Sequence, residues 1–392
     1  MKVVIVGAGI GGLAAALCLQ KAGHQITVVE QAPALVDVGA GLQCSANAVH
    51  VLSWLGVVPQ LLKYAVKPEA VHFRDSLSGK RFHNMQLGES YEAQYGAPYL
   101  HIHRADLIEV LAARLSEKSS GELQLNSKVT AIEDHGPSVS VILNNGTTFG
   151  ADCVIAADGI RSAVRQQLFE AAKPAFTGNV AWRTTIDTNK LSANFMATLA
   201  TNFVGANKHM VMYYLRNRTL LNVVGVVENP HWSAQSWMAK APKSELLDDF
   251  KGWHPMVIEA IDASDEAGCY RWALYDHQPI KQWSEGRVAL LGDAAHAVLP
   301  FMASGAAMAI EDARILQRCL DAESDVPKAL QNYQRNRLER TTKLQKKSRQ
   351  VGKIYHINQP WLRAQAMRWA PKLSPSSHRF LPEYDANTIP LI

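Results

Sequence analysis

The stretch KVVIVGAGIGGLAAALCLQKAGHQITVVE, residues 2–30, switches periodicity twice. Lys2–Val6 is a short apolar run rich in β-branched residues, which suits a buried strand. Four glycines follow within GAGIGG, then an alanine- and leucine-rich run that suits a helix, then a second β-branched run ending in Glu30. Strand, glycine turn, helix, strand is a βαβ unit, the building block of a parallel sheet. Gly7, Gly9 and Gly12 have the G-x-G-x-x-G spacing, and Gly11 lies among them. Glycines there permit a tight turn and close backbone approach, the helix start faces a pyrophosphate, and an acid ending the next strand accepts ribose hydroxyls. The pattern predicts dinucleotide binding without saying which dinucleotide.

Beyond this unit, GAGLQCSANAVHVLSWLG has helical apolar spacing, VHFRD and KRFHNMQLG read as strands around a turn, and RADLIEVLAARLSEKS reads as a helix. The segment from Asn126 to Gly159 reads as three strands. From about Phe176 to Tyr275 the chain is strand-rich, and after GRVALLGDAAH helical segments run to about Lys372. No repeat, low-complexity tract or Gly/Ser linker separates these blocks, so the expected domains interleave. The expected fold class is α/β with an α+β insert. A Rossmann-like cofactor domain takes residues 1–72, 100–175 and 276–330, a sheet-rich substrate domain takes 73–99 and 176–275, and a helical segment takes 331–392.

Composition narrows the function classes. In 392 residues, 47% are hydrophobic and 19% charged, a globular rather than disordered balance, and the formal charge of +5 is mild for the length. No concentrated basic stripe with groove-reading elements points to nucleic acid. The run Arg335–Lys353 carries eight Lys or Arg against one acid. It reads as a solvated helix face, with anion steering or a subunit contact as the other readings. Five cysteines lie far apart with no C-x-x-C, so a reducing, cytoplasmic setting without disulfide framework or zinc is expected. The uncharged stretch Val3–Leu19 has four glycines and no small-residue cleavage site, which argues against a secretory leader, and no other segment has the length to span a membrane. No H-x-x-x-H or H-E-x-x-H suggests a metal.

Two further stretches carry chemistry. VIAADGIRSAVR, residues 154–165, ends a strand in Asp158-Gly159 and then offers Arg161, Ser162 and Arg165; by its residues alone it reads equally as an ordinary turn. GRVALLGDAAHAVLPFMASGAAMAIEDA, residues 286–313, takes a buried strand into Gly292-Asp293, an irregular loop to Pro300, and a helix starting near Gly305. An acid at a strand's carboxyl end can hold a polyol hydroxyl, and a helix N-terminus presents amides to a developing anion. His296 within it reads as structural, and His101 and His103 as capping or packing residues.

Together with HRADL at 103–107, these elements in this order resemble the single-component flavoprotein aromatic hydroxylases. Within that group the chain is most similar to salicylate hydroxylase, 3-hydroxybenzoate 6-hydroxylase and 6-hydroxynicotinate 3-monooxygenase. The resemblance runs from the first strand past Asp312. It implies FAD as cofactor, with Gly7, Gly9, Gly11 and Gly12 at the pyrophosphate and Glu30 and Gln31 at the adenosine ribose. Arg104 would meet phosphate or the ribityl region, and the backbone of Val129 would meet adenine. Asp158 would serve both FAD and NAD(P)H, Asp293 the ribityl chain, and Gly305, Ala306 and Ala307 the flavin N1 and O2 edge. Gln43 and Pro300 belong to the same cofactor-facing set. Only one G-x-G-x-x-G is present, so NADH or NADPH would bind transiently as electron donor.

The resemblance also gives a setting to KHMVMYY, residues 208–214. His209, Val211 and Tyr213 share one face of a strand. By residues alone the pair His209 and Tyr213 reads first as packed or surface positions; the resemblance makes them the lining of an aromatic-ring pocket. Oxygen transfer from a flavin C4a-hydroperoxide is faster to a phenolate, so His209 would act as base and Tyr213 would orient the ring. The implied activity uses NAD(P)H and O2 to hydroxylate a small hydroxylated aromatic acid, in a monomer or homodimer. Arg183, Arg216 or Arg81 would pair with the carboxylate. A reductase or halogenase of the same fold is the alternative, the latter disfavoured because W-x-W-x-I-P is absent, and a non-catalytic flavin-binding protein is a third reading. The chain departs from the group where Ala156 replaces a common glycine and Gln43 stands where the hydroxynicotinate enzymes show histidine, and, with more consequence, where Ala303 stands for a common glycine and Ser304 for a common glutamine.

Overall fold

The computed structural model describes residues 1–35, 41–118, 120–169, 173–232, 238–266, 268–373 and 379–392. Lys2–Val6 lies at the centre of a six-stranded sheet, flanked in parallel by Gln25–Val29 and Cys153–Ala156. Gly121–Gln124 and Val288–Leu290 extend it in parallel, and the short strand Ser284–Glu285 closes one edge antiparallel. Helix Ile10–Lys21 is apolar on all sides, with Leu13, Ala14, Ala15, Ala16, Leu17, Cys18 and Leu19 buried. Such a helix must be enclosed, and helices Arg104–Ser116 and Gly305–Ala322 pack against it. Each fully buried leucine contributes about 1.5–3 kcal/mol of transfer free energy.

The segment expected as three strands forms four. Val129–Asp134, Val139–Leu143 and Thr148–Ala151 make an antiparallel meander, and Cys153–Ala156 joins the parallel sheet. Asp152 separates the last two because its carboxylate accepts the Lys2 amide at 2.7 Å and redirects the chain into the other sheet. GLQCSANAVHVLSWLG likewise splits. Gly41–Cys44 is a strand paired with Leu100–His103, and the helix begins only at Ala46; residues 39–40 of that stretch lie outside the described residues.

The second sheet has eight strands, in the order Met238–Lys240, Tyr270–Asp276, Ala175–Asp187, Leu220–Glu228, Lys208–Leu215, Ala200–Gly205, Ala70–Asp75 and Arg81–Gln86. All neighbours are antiparallel except Ala200–Gly205 with Ala70–Asp75. Strand alternation sorts its two faces. Met210, Met212 and Tyr214 join Trp182, Phe203 and Val223 beneath helices Lys243–Asp249 and Pro255–Ala263. On the opposite face Ala181 and Val226 meet Leu299 and Phe301, with Tyr355 from the end of helix Val326–Tyr355. Helix Glu89–Tyr95 leans away from this sheet: Tyr91 joins the core around helix Ile10–Lys21, and its hydroxyl accepts the Ala46 amide at 3.0 Å.

The basic run is not simply a solvated face. Arg337 and Arg340 are buried, on the same stripe of helix Val326–Tyr355 as Leu344, Gln345, Ser348 and Gly352. Helical periodicity turns these inward while Lys343 and Lys346 stay outside. Two buried acids on helix Gly305–Ala322 receive the cations. Arg340 Nε and Nη2 each lie 2.7 Å from Glu311, and Arg337 Nε lies 2.7 Å from Asp312. Among the described residues no helix is long and apolar enough to cross a membrane.

Candidate active site

Four strand ends lie level, since Val6 is in register with Val29 and Ala156, and Ala156 with Leu290. The three motifs that follow these strands therefore meet at one crevice beyond the sheet's carboxyl edge, where open α/β sheets bind ligands. Gly7 has φ of +102°, and a Cβ there would stand 2.5 Å from the Ala157 carbonyl oxygen. At Gly12 a Cβ would meet the Gly7 oxygen at 2.0 Å, and at Gly11 it would meet Leu291 Cδ2 at 2.8 Å. These three glycines are required by protein packing. Gly9 differs: a Cβ there would have no atom within 4 Å, so its surface opens toward the crevice beside the first-turn amides of helix Ile10–Lys21.

Glu30 braces this cradle. One carboxylate oxygen accepts the Ala8 amide at 2.8 Å and the other the Ala32 amide at 2.9 Å, each keeping a second lone pair. Gln31 is exposed just beyond it. The Ser127 amide bonds the Glu30 carbonyl at 2.8 Å, which brings Val129, first residue of the meander, to the same end. Arg104 opens helix Arg104–Ser116 after strand Leu100–His103, and Gln43 on the partner strand accepts the Tyr99 hydroxyl at 2.7 Å.

Asp158 Oδ2 accepts the amides of Ala163 and Val164 at 2.9 and 3.3 Å, while its buried Oδ1 meets no protein donor. Burial raises its carboxyl pKa, and the Ser162 hydroxyl and nearby amides act against that rise. Arg165 ties the second motif to the third by donating to the carbonyls of Ile160 and Ala294 at 2.5 and 2.8 Å. Asp293 is exposed, and a Cβ on Gly305 would lie 3.9 Å from its Oδ1. Pro300 starts the 3-10 turn Pro300–Met302, Ala303 takes left-handed φ of +50°, and helix Gly305–Ala322 begins with Gly305, Ala306 and Ala307. Ser304 before it is fully buried, and its Oγ meets no protein partner. His296 lies against the buried Asp312 at 2.5 Å, inside the ionic cluster rather than the crevice. An open glycine, a row of free helix-start amides, an exposed acid and two orphaned oxygens along one crevice fit a dinucleotide bearing a second polar ring.

The second sheet supplies the other wall. His209 is buried with its ring 5.5 Å from Phe301 and 5.3 Å from Tyr355. Tyr213 lies 4.6 Å from the His101 ring, and a Cβ on Gly41 would stand 2.7 Å from its hydroxyl. Between them Val211 and its cross-strand partner Val224 remain partly accessible, an apolar floor between two polar rings. Arg183 pairs with Val224 on the next strand, and its charge acts on the Tyr213 hydroxyl. Of the other two arginines considered, Arg216 is held bidentate by Asp106 and Arg81 lies at the far edge strand, 3.1 Å from His72. Two residues that the sequence did not single out complete the wall. His209 Nδ1 is 2.8 Å from His356 Nε2, and His356 Nδ1 is 2.7 Å from Glu228 Oε1. Nothing in their local sequence marks them, since they lie 147 and 128 residues from their partners.

The sequence model of the FAD binding domain matches residues 1–348. The chain belongs to the FAD-binding domain family. FAD is therefore the cofactor for which the crevice is built, with NAD(P)H the family's usual electron donor. Within this family the chain is similar to 3-hydroxybenzoate 6-hydroxylase of Polaromonas naphthalenivorans (strain CJ2), 36% identical across 91% of this chain and 88% of that protein. It is 33% identical to 6-hydroxynicotinate 3-monooxygenase of Bordetella bronchiseptica (strain ATCC BAA-588 / NCTC 13252 / RB50), across 92% of each chain. A salicylate hydroxylase solved as a substrate complex superposes with a TM-score of 0.83 at 27% identity, covering 98% of this chain and 96% of that one. The resemblance read from the ordered motifs thus holds for the whole fold.

Proposed function

We propose that this FAD-dependent aromatic-ring monooxygenase hydroxylates a small hydroxylated aromatic acid of the salicylate, hydroxybenzoate or hydroxynicotinate type, using NAD(P)H and O2. The observation that carries the reading is the face His209–Val211–Tyr213: two polar rings flanking an apolar floor, opposite the loop that leads into helix Gly305–Ala322. The residues that would hold FAD are Gly9 and the adjoining amides at the pyrophosphate, with Gly7, Gly11 and Gly12 shaping the turn. Glu30, Gln31 and the backbone of Val129 serve the adenosine end, and Arg104, Asp158 and Asp293 the phosphate and ribityl chain. Gln43, Pro300, Gly305, Ala306 and Ala307 would face the flavin. Held there, FAD would supply the redox chemistry, electron transfer from the nicotinamide and activation of O2.

The chain's own residues prepare the ring. Val211, Val224 and Phe301 offer apolar surface to its faces, and Arg183 suits the carboxylate. His209 accepts the phenol proton, since a phenolate is the better acceptor of electrophilic oxygen, and Tyr213 orients the opposite substituent. Cofactor binding falls to segments 1–72, 100–175 and 276–330, and substrate binding to 73–99 and 176–275. The enzyme works in the cytoplasm as a monomer or homodimer.

Purified holoenzyme should oxidise NAD(P)H faster with members of a hydroxylated aromatic acid panel and yield a hydroxylated product. His209→Gln should slow oxygen transfer about 100-fold or more, within the usual range for a general base, and leave flavin reduction near its wild-type rate. Stopped-flow measurement of the two half-reactions separates them; equal rates for wild type and variant in both would overturn the assignment.

A further inference from the structure

His209 has a difficulty as a base. Burial pushes its pKa well below that of a free imidazole, and His356 beside it adds to the effect. A proton taken from a phenol would leave an imidazolium enclosed by Phe301 and Tyr355, away from water. The charge has to leave.

We propose that His356 and Glu228 are positioning residues that form a proton outlet for His209, running from the ring pocket to the protein surface. The proposal rests on His209 being the base. Its direction follows from the hydrogen bonds. A carboxylate only accepts, so His356 must donate its Nδ1–H to Glu228 Oε1 at 2.7 Å. Neutral His356 then has a bare Nε2, which can only accept, so His209 donates its Nδ1–H across the 2.8 Å contact. Neutral His209 is left with its lone pair on Nε2. One carboxylate thereby fixes both tautomers and leaves His209 with an unprotonated nitrogen for the phenol.

The proton count closes. The phenol O–H bond breaks as a proton passes to His209 Nε2, His209 Nδ1–H passes to His356 Nε2, and His356 Nδ1–H passes to Glu228. The Glu228 side chain is 43% exposed, so the carboxylic acid formed there releases its proton to water. When the three transfers move together, neither buried ring carries two protons. When the product phenolate is reprotonated from His209 Nε2, the same hops reverse and the starting tautomers return.

The geometry is held from several sides. The Asn207 amide donates to the His356 carbonyl at 3.3 Å, and the Glu228 amide donates to the Asn207 carbonyl at 2.9 Å, so the turn locks the two ends of the outlet together. The other charged or titratable neighbours are Arg363, whose charge acts on His356 and whose Nη2 lies 3.4 Å from Asp75, and Tyr355 against His209. Burial lowers the His356 pKa while Glu228 raises it. His356 is therefore suited to pass a proton rather than store one.

The experiment has two arms. In holoenzyme labelled with 15N-histidine, both rings should be Nδ1–H tautomers near neutral pH, and Glu228→Leu should abolish that preference at His356. A wild-type His209 bearing its proton on Nε2 would overturn the outlet without any turnover being measured. In the second arm, reduced holoenzyme is mixed with O2 and 3-hydroxybenzoate or 6-hydroxynicotinate as probes. Glu228→Gln keeps an acceptor for His356 but cannot take up a proton. It should slow oxygen transfer about 10- to 100-fold near neutrality, recover as pH rises, and leave flavin reduction unchanged. Glu228→Asp should restore most of the rate, which loss of packing alone would not produce. If Glu228→Gln and His356→Gln both transfer oxygen at the wild-type rate while His209→Gln is slow, the outlet falls and the base stands; if His209→Gln is also fast, the base falls with it.

Discussion

Ala303 shows how one backbone angle links the cofactor loop to stability. Its φ of +50° and ψ of 35° lie in the left-handed region, which a Cβ makes about 1–2 kcal/mol less favourable. Glycine would remove that strain but loosen the unfolded chain by about 0.4–1 kcal/mol. Ala303→Gly should therefore be more stable by about 0.5 kcal/mol, read from the urea midpoint of the holoenzyme. A lower midpoint for the variant would mean that the Ala303 methyl packs usefully. The following residue explains another departure noted in the sequence: Ser304 is enclosed, with its Oγ aimed at no protein group. A buried hydroxyl without a partner is costly, so this oxygen is a natural contact for a ligand in the crevice. At this scale the sequence was informative about glycines and strand ends. It could not show that Gly9 alone among the four opens to space while the others are closed by Ala157, Leu291 and the Gly7 carbonyl.

Helices Gly305–Ala322 and Val326–Tyr355 are held together by charges rather than by apolar packing alone. Asp312 accepts the Gly292 amide at 3.0 Å, His296 at 2.5 Å and Arg337 at 2.7 Å, so it fixes the turn that presents Asp293. Burial alone would raise its carboxyl pKa, but His296 and Arg337 outweigh that and hold it at about 2 rather than 3.8. A depressed carboxyl contributes stability above its unfolded value and loses it as pH falls through the folded one. The Asp312 share should thus disappear between about pH 4 and pH 2. Asp312→Asn leaves the buried Arg337 with Glu311, 2.6 Å from its Nη2, as its remaining carboxylate partner, and should cost about 3 kcal/mol at neutral pH, the low end of the range for breaking a buried ion pair. Its stability should also fall less steeply between those two pH values. Urea midpoints across that range test both statements, and an unchanged acid limb would remove Asp312 from the account. The helix itself was legible in the sequence from its spacing, but its basic run was not: charge density says nothing about which side of the helix meets two acids.

Across the molecule, uncharged histidines gather at the seam between the cofactor crevice and the second sheet. Burial holds His101 down to about 3 from 6.5, between Tyr99 and Tyr213, and lowers His209, His277 and His356 as well. A histidine neutral in the fold and protonated when unfolded contributes stability above pH 6.5 and loses it as pH falls toward the folded value. For His101 the loss is about 1.4 kcal/mol per pH unit. Thermal stability should begin to fall near pH 6.5, before the acidic cluster titrates, and released-FAD fluorescence should rise no later than far-UV circular dichroism changes. His101→Gln should flatten the upper part of that decline; an unaltered slope would mean that the seam does not depend on this ring.

The sequence by itself determined the parallel sheet, the dinucleotide cradle and the order of the three cofactor motifs. Each of these rests on local periodicity, glycine backbone freedom and strand-end acids, which are written in consecutive residues. It also put His209 and Tyr213 on one strand face, because alternation is a local rule. Only the tertiary structure decided what that face meets. The level strand ends at Val6, Ala156 and Leu290, the burial of Arg337 and Arg340, and the line from His209 through His356 to Glu228 join residues far apart in the chain. Side-chain contacts of that kind depend on distance and desolvation in the folded molecule, and neither is encoded in a run of neighbouring residues.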